Sequence, residues 1–263
     1  MNACLGIVDW GIGGIGLLSA LDRAAAGLPV LYWSDAGATP YGRMTADELT
    51  ERLTTVVAEI AERGATEVVL ACNAASTVVD RLGGAAVPVQ GIIRHGLASV
   101  PENLGSVGVI GGQRTIDAGL YRRGLARPGR VVLSLVAQPL SAHIEAGRTG
   151  SPQFLADLGR IVAPLRRVDA LVLACTHYPA AGPWFAAALP DALLIDPAER
   201  MATAIAERHP HMRFAPRPAG RVFLTTGDPE AMRLGAARAW GVTLAATAVS
   251  ASADHRRYRR SAA

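Results

Sequence analysis

An echo runs through this sequence. Leu5-Gly6-Ile7-Val8 is answered 102 residues later by Val107-Gly108-Val109-Ile110, and Val69-Leu70-Ala71-Cys72 is answered 103 residues later by Val172-Leu173-Ala174-Cys175. Short apolar runs of this kind, separated by longer segments rich in Ala, Leu and Arg, mark parallel strands buried on both faces and joined by crossover helices. Strands are expected at 5–9, 30–33, 67–72, 87–92, 107–110, 131–136, 170–175, 193–196 and 222–225, and helices at 14–26, 45–63, 116–126, 153–165 and 229–240. Asp228 can cap the last helix, with Pro229 at its first position. The near-equal offsets argue for an α/β chain of two pseudo-symmetric parallel-sheet lobes, with the active site in the cleft between them. Residues 1–97 and 210–245 would form the first lobe, 98–209 the second, and the Arg-rich 246–263 a disordered tail.

Half of the 263 residues are hydrophobic, enough for two ordinary cores. The net charge of +4 is a small surplus of 26 basic over 22 acidic residues, and part of it sits in the tail, so no nucleic-acid partner is expected. All the basic residues are arginine, for the chain has no lysine. That excludes a Schiff base to pyridoxal phosphate or a carbonyl substrate, and a phosphate-loop lysine. Cys4, Cys72 and Cys175 are too few and too scattered for a disulfide framework or a paired-cysteine metal knuckle; they suit a reducing, cytoplasmic setting. The N-terminus lacks the features of a signal peptide, and no apolar run approaches the roughly 20 residues that span a bilayer, so no membrane partner is expected either.

Chemistry gathers at the strand ends, where ligands of parallel sheets bind. The turn Asp9-Trp10-Gly11-Ile12-Gly13-Gly14-Ile15-Gly16 contains Gly-X-Gly-X-X-Gly, and Asp35 ends the next strand, which together approach a dinucleotide fingerprint. Against that reading, the Asp9 carboxylate would lie where a pyrophosphate should sit. Ala71-Cys72-Asn73-Ala74-Ala75-Ser76 and Ala174-Cys175-Thr176-His177-Tyr178-Pro179 each place a cysteine after an apolar strand. One such cysteine is usually a small core residue, but two in matching positions can act as two bases on opposite faces of one carbon. A thiol with an ordinary pKa near 8.5 needs help to ionise, and His177 stands beside Cys175 as Asp9 stands at the crevice of Cys72. A Cys175–His177 hydrolase would leave Cys72 unexplained, and a metal site lacks a dense ligand cluster.

These residues are similar to those of the glutamate racemases, in the cofactor-independent aspartate/glutamate racemase family. The family's opening Asp-Ser-Gly-X-Gly-Gly is matched by Asp9 to Gly14, its Pro-Tyr-Gly by Pro40-Tyr41-Gly42, its Ala-Cys-Asn-Thr-Ala-Ser by Ala71 to Ser76, and its Cys-Thr-His-Tyr-Pro by Cys175 to Pro179. Val107 to Ile110 leading to Thr115, Ile144-Glu145-Ala146-Gly147, Leu194-Ile195-Asp196 and Thr225 to Pro229 resemble further landmarks. The resemblance implies a cytoplasmic enzyme that interconverts L- and D-glutamate without cofactor or metal and supplies D-glutamate for peptidoglycan. Its partners would be a small amino-acid substrate and, as a homodimer, a second copy of itself. Carried over, Cys72 handles the proton of the D enantiomer and Cys175 that of the L enantiomer, with Asp9 and His177 assisting. Trp10, Tyr41, Gly42, Asn73, Ala74 and Thr176 line the substrate, and Glu145, Thr115 and Pro40 are accessory.

Two positions depart from the family pattern. Trp10 stands for its serine and Ala74 for its threonine, removing two hydroxyls from the expected site. The Trp10 ring either fills the cleft or turns outward to pack between lobes or subunits. These departures leave open a different amino acid or related acid as substrate, or a relative that binds a metabolite or partner without turnover. Arg43, Arg94 and Arg114 lie near the motifs without an assigned role.

Overall fold

The computed structural model describes residues 3–213 and 220–250. Its strands are β1 (Leu5–Asp9), β2 (Val30–Ser34), β3 (Glu67–Leu70), β4 (Val89–Gly91), β5 (Ser106–Gly111), β6 (Val131–Val136), β7 (Ala170–Ala174), β8 (Leu193–Ile195), β9 (Arg221–Thr225) and β10 (Ala246–Ala248). All their pairings are parallel. They form a six-stranded sheet, β10-β9-β2-β1-β3-β4, and a four-stranded sheet, β6-β5-β7-β8. The order β2-β1-β3-β4 is repeated by β6-β5-β7-β8, so the echo in sequence is also a duplication of topology. β3 and β7, the strands that lead into Cys72 and Cys175, occupy equivalent places.

The helices are α1 (Ile15–Ala24), α2 (Ala46–Glu62), α3 (Asn73–Ser76), α4 (Ile93–Ala98), α5 (Gln113–Asp117), α6 (Leu120–Leu125), α7 (Gln138–Glu145), α8 (Pro152–Val162), α9 (Gly182–Ala188), α10 (Pro197–Arg208) and α11 (Pro229–Trp240). Side chains alternate across a strand, and β1, buried along its whole length, divides its residues between two cores. Leu5 and Ile7 pack with α1, α10 and α11. Val8 packs on the other face with Leu49, Leu53, Val56 and Ile60 of α2. α2 starts at a capping box in which Thr45 and Glu48 bond each other's backbone N–H. In the second lobe Ile110 packs with α7, α8 and α9, and Val107 and Val109 with α4 and α6.

The connecting helices pack across the lobes: Ile93 of α4 lies in a second-lobe core, whereas Met201, Ala202, Ile205 and Ala206 of α10 lie in a first-lobe core. Two local expectations need correction. The helix expected over 116–126 is broken by Gly119, whose φ of 64° lies in the left-handed region, into α5 and α6. The start of the expected disordered tail is instead β10, whose small residues pair with the free edge of β9; residues 251–263 lie outside the described residues. No helix among the described residues is long and apolar enough to cross a membrane.

Candidate active site

The carboxyl ends of β1, β3 and β7 converge where the lobes touch. Asp9 is the last residue of β1, and the glycines after it let the second lobe approach closely. A Cβ on Gly13 would lie 2.3 Å from Thr176 Oγ1 and 2.8 Å from His177 Nδ1, and one on Gly11 would lie 3.0 Å from Glu145 Oε1. The turn thus needs glycine for contact between lobes, which disposes of the dinucleotide reading from one side. Asp35 disposes of it from the other. Its carboxylate, fully buried, accepts from Arg52 through both oxygens, from the Tyr41 hydroxyl at 2.9 Å and from Thr226 Oγ1 at 3.0 Å, leaving nothing for a ribose.

Cys72 and Cys175 are both half-buried, but their surroundings differ. Cys72 is the residue before α3, in extended backbone. Burial and the negative charge of Asp9 push its thiol well above the ordinary value, Cys175 adds to this, and the N–H groups of Ala75 and Ala74 oppose it. Asp9 itself is 1% exposed. Its Oδ1 accepts from the Trp10 N–H at 2.8 Å, and its Oδ2 makes no hydrogen bond within ordinary geometry among the described residues. Burial raises the Asp9 carboxyl above the usual carboxylate range, against the pull of His177, the Trp10 N–H and the Thr176 hydroxyl.

Cys175 Sγ lies 3.8 Å from His177 Nδ1, and the other ring nitrogen, Nε2, bonds Glu145 Oε2 at the end of α7. Burial alone would lower the imidazole, but the bonds to Cys175 and Glu145 outweigh it and hold His177 well above its ordinary value. Cys175, His177 and Glu145 are therefore one connected group, and Glu145, an accessory residue in the sequence reading, is brought into it by α7.

The remaining candidates are placed unevenly. Asn73 is 2% exposed; its Oδ1 accepts from the Tyr121 hydroxyl at 2.8 Å while its Nδ2 has no partner among the described residues. Thr176 is buried against the glycine turn, and Thr115 is buried on α5 beside the end of β5. Tyr41 is buried and spends its hydroxyl on Asp35, so the Pro40-Tyr41-Gly42 segment offers backbone and ring rather than a free phenol. Ala74 sits on α3, half-buried. The Trp10 indole donates to Ala38 O at 3.0 Å and packs beside the core that holds Trp33 and Tyr41. It is pinned to a loop of its own lobe rather than set between the lobes. Arg114 ties the lobes by donating to Thr77 Oγ1 and Met44 O, Arg94 bonds Gln90 and His95, and Arg43 is exposed.

A cavity of about 540 Å³ lined by Ser76, Gln90, Arg94, Leu120 and Arg123 lies at the far end of α3, and another of about 420 Å³ is lined by Gly42, Thr77, Gln113 and Arg114. Neither is lined by a catalytic-candidate thiol, and the chemistry argues for the strand ends rather than for these two hollows. Among the described residues no group of three His, Cys, Asp or Glu is placed to hold a metal. Sequence reasoning missed Tyr121 and Arg52. The one available signal was a lone aromatic amid the arginines of α6; Arg52 carried none.

The family model for Asp/Glu/hydantoin racemases matches residues 5–205 of the chain. A glutamate racemase of Mycolicibacterium paratuberculosis is 35% identical over 258 residues, covering 91% of this chain and 93% of that protein. Among solved structures, the glutamate racemase of Thermus thermophilus, in complex with β-chloro-D-alanine, superposes with a TM-score of 0.84 at 28% identity, over 95% of this chain and 97% of its own. A glutamate racemase isoform of Bacillus anthracis gives a TM-score of 0.85 at 25% identity, over 94% and 97%.

Proposed function

The chain belongs to the Asp/Glu/hydantoin racemase family and is a cofactor-independent amino-acid racemase; from that premise we propose that it interconverts L- and D-glutamate, with Cys72 and Cys175 as the two bases. The observation that carries this reading is the pair of cysteines after topologically equivalent strands, each with its own ionisable partner. From L-glutamate, the Cys175 thiolate takes the Cα proton. The electron pair of the broken C–H bond moves into the carboxylate as an enediolate-like carbanion, and the Cys72 thiol delivers its proton to the opposite face. From D-glutamate the roles reverse.

The electrostatics favour this division. His177, held protonated by its neighbours, places a positive charge beside Cys175 Sγ where negative charge would develop, with Glu145 fixing the ring. Cys72, pushed up by burial and Asp9, rests as the thiol that donates. Asp9, its own affinity for a proton raised, is a suitable base to take the Cys72 proton when the reaction runs from the D side. The product would serve peptidoglycan assembly in the cytoplasm.

A second reading, a related acidic substrate, is favoured by Trp10 and Ala74, which remove two hydroxyls from the expected site. Proton NMR of L- and D-glutamate in D₂O decides between them. Loss of the Cα-H signal with appearance of the opposite enantiomer is expected; no exchange with folded protein would move the assignment to another substrate.

A further inference from the structure

The Asn73 side chain is half-satisfied in a way that points outward from the protein's own bonding. Its oxygen has a partner and its nitrogen has none among the described residues, although the residue is 2% exposed and adjacent to Cys72. An asparagine amide can be turned either way, so something must fix which end faces the neighbour. That neighbour is Tyr121, on α6 of the other lobe, itself 2% exposed. Its phenol makes the 2.8 Å bond to Asn73 Oδ1. A phenol accepting from Nδ2 would instead leave its own proton and the amide oxygen unmatched. Donation from Tyr121 to Oδ1 is the arrangement that satisfies both.

The fold makes room for this hydroxyl. A Cβ on Gly96 would stand 2.4 Å from Tyr121 Oη, so glycine at the middle of α4 is what lets the phenol reach across to α3.

We infer that Tyr121 is a positioning residue that locks the Asn73 amide with its N–H₂ group turned to the substrate beside Cys72. The inference rests on the glutamate-racemase reading above. With the oxygen taken, the two amide hydrogens of Asn73 are held for an acceptor that none of the described residues supplies. A substrate carboxylate is such an acceptor, and its oxygens gain charge as the Cα proton leaves, so a donor already aimed there serves binding and the transition state together. Because the bond crosses from one lobe to the other, the amide is set only while α6 and α3 are apposed.

The test compares the full chain with Tyr121→Phe, Asn73→Ala and the double variant in both directions of racemisation. A second measurement follows the Asn73 side-chain amide by nitrogen-15 NMR without substrate, its signal identified by its loss in Asn73→Ala. Tyr121→Phe should raise KM for both enantiomers by about tenfold, the equivalent of one lost hydrogen bond, with a smaller change in kcat. It should add nothing in the Asn73→Ala background, and it should move or broaden the Asn73 amide signal. Gly96→Ala, which keeps the phenol but displaces its hydroxyl, should reproduce both effects. Additive losses in the double variant would overturn the assignment, as would an Asn73 signal untouched by Tyr121→Phe. The amide measurement needs no turnover: a wild-type protein inert to glutamate would sink the glutamate reading alone, and the spectrum would still decide the role of Tyr121.

Discussion

The two halves of the site solve the same problem from opposite electrostatic sides. Both begin from a cysteine just past a buried parallel strand, at matching places in a repeated strand order. In the first lobe the thiol faces a buried carboxylate, and burial and charge together hold its proton on. In the second the thiol faces an imidazole that Glu145 and the thiol itself keep protonated. Duplication supplied the positions, and divergence of the neighbours, Asp9 on one side and His177 with Glu145 on the other, gave the two thiols opposite electrostatic surroundings, which the proposed reaction would use as donor on one side and base on the other. A symmetric pair, both thiols or both thiolates, could not begin a one-proton-in, one-proton-out reaction without first moving a proton.

Removing either thiol is the most drastic way to break that comparison. Cys72→Ala and Cys175→Ala should each lower racemisation by roughly 10³-fold or more, the scale of losing a positioned acid or base. Each should also leave its partner able to exchange one enantiomer: Cα-H loss in D₂O should persist from L-glutamate in Cys72→Ala and from D-glutamate in Cys175→Ala. Exchange of both enantiomers by either variant would show that the two thiols are not divided as argued.

Forcing the halves apart comes next. Gly13→Ala places a Cβ 2.3 Å from Thr176 Oγ1, and the shift it demands should cost about 100-fold in kcat/KM together with about 1–3 kcal/mol of stability by urea unfolding. Unchanged kinetics would mean that the glycine turn does not set the spacing of the two groups.

Glu145→Gln sharpens the contrast on one side only. Since Glu145 helps to hold the His177 pKa up, its loss should let His177 give up its proton at lower pH. The alkaline limb of the rate profile from L-glutamate should move to lower pH, with a fall in kcat of about 10-fold. An equal displacement of the profile from D-glutamate would contradict the division of labour.

Asp9→Asn acts on the other side, with opposite signs in two assays. Taking away the charge that raises the Cys72 pKa should increase its thiolate fraction, so iodoacetamide should label Cys72 up to about tenfold faster at pH 8. Turnover from D-glutamate should nevertheless fall, because the base that receives the Cys72 proton is gone. Slower labelling would reverse the assigned influence of Asp9.

The smallest effect fixes the pH range in which these profiles can be read. His95, buried on α4, has its pKa lowered to about 4 by burial and by Arg94, Arg208 and Arg200. Its unfolded form binds a proton already near pH 6.5, so stability is full above that value and declines as pH falls toward 4. By pH 5 the loss is about 2 kcal/mol, and His95→Asn should flatten the urea-derived stability between pH 7 and 5 by about that amount.

How much of this was legible in the sequence follows from distance along the chain. Every apolar run read as a strand forms one: the central strands β1, β5 and β7 because burial on both faces writes itself locally as Val, Ile and Leu, and the outer strands β6, β8 and β9 because they keep that composition even where Val131, Leu193 and Val222 are exposed. The cysteines and their nearest helpers were legible because each partner lies on a motif. What was not legible depends on residues far apart meeting: Glu145 reaches His177 across 32 positions, and Tyr121 reaches Asn73 across 48. The packing of α4 and α10 across the lobes was hidden for a related reason, since an apolar helix face tells that it is buried but not against which sheet. The Trp10 orientation turned on one carbonyl, Ala38 O, in a loop whose path no periodicity describes.

The sheet order also dictates a sequence of assembly on the ribosome. The second lobe's strands, β5 to β8, are one unbroken stretch of chain, whereas β2 of the first lobe waits for β9, more than 180 residues downstream, to cover its outer edge. Until Arg221–Thr225 has been synthesised, nascent β2, with Leu31, Tyr32 and Trp33, carries an unpaired apolar edge of the kind that recruits foreign strands. The later-encoded lobe can therefore close first, and the earlier one is the part that needs shielding while translation finishes.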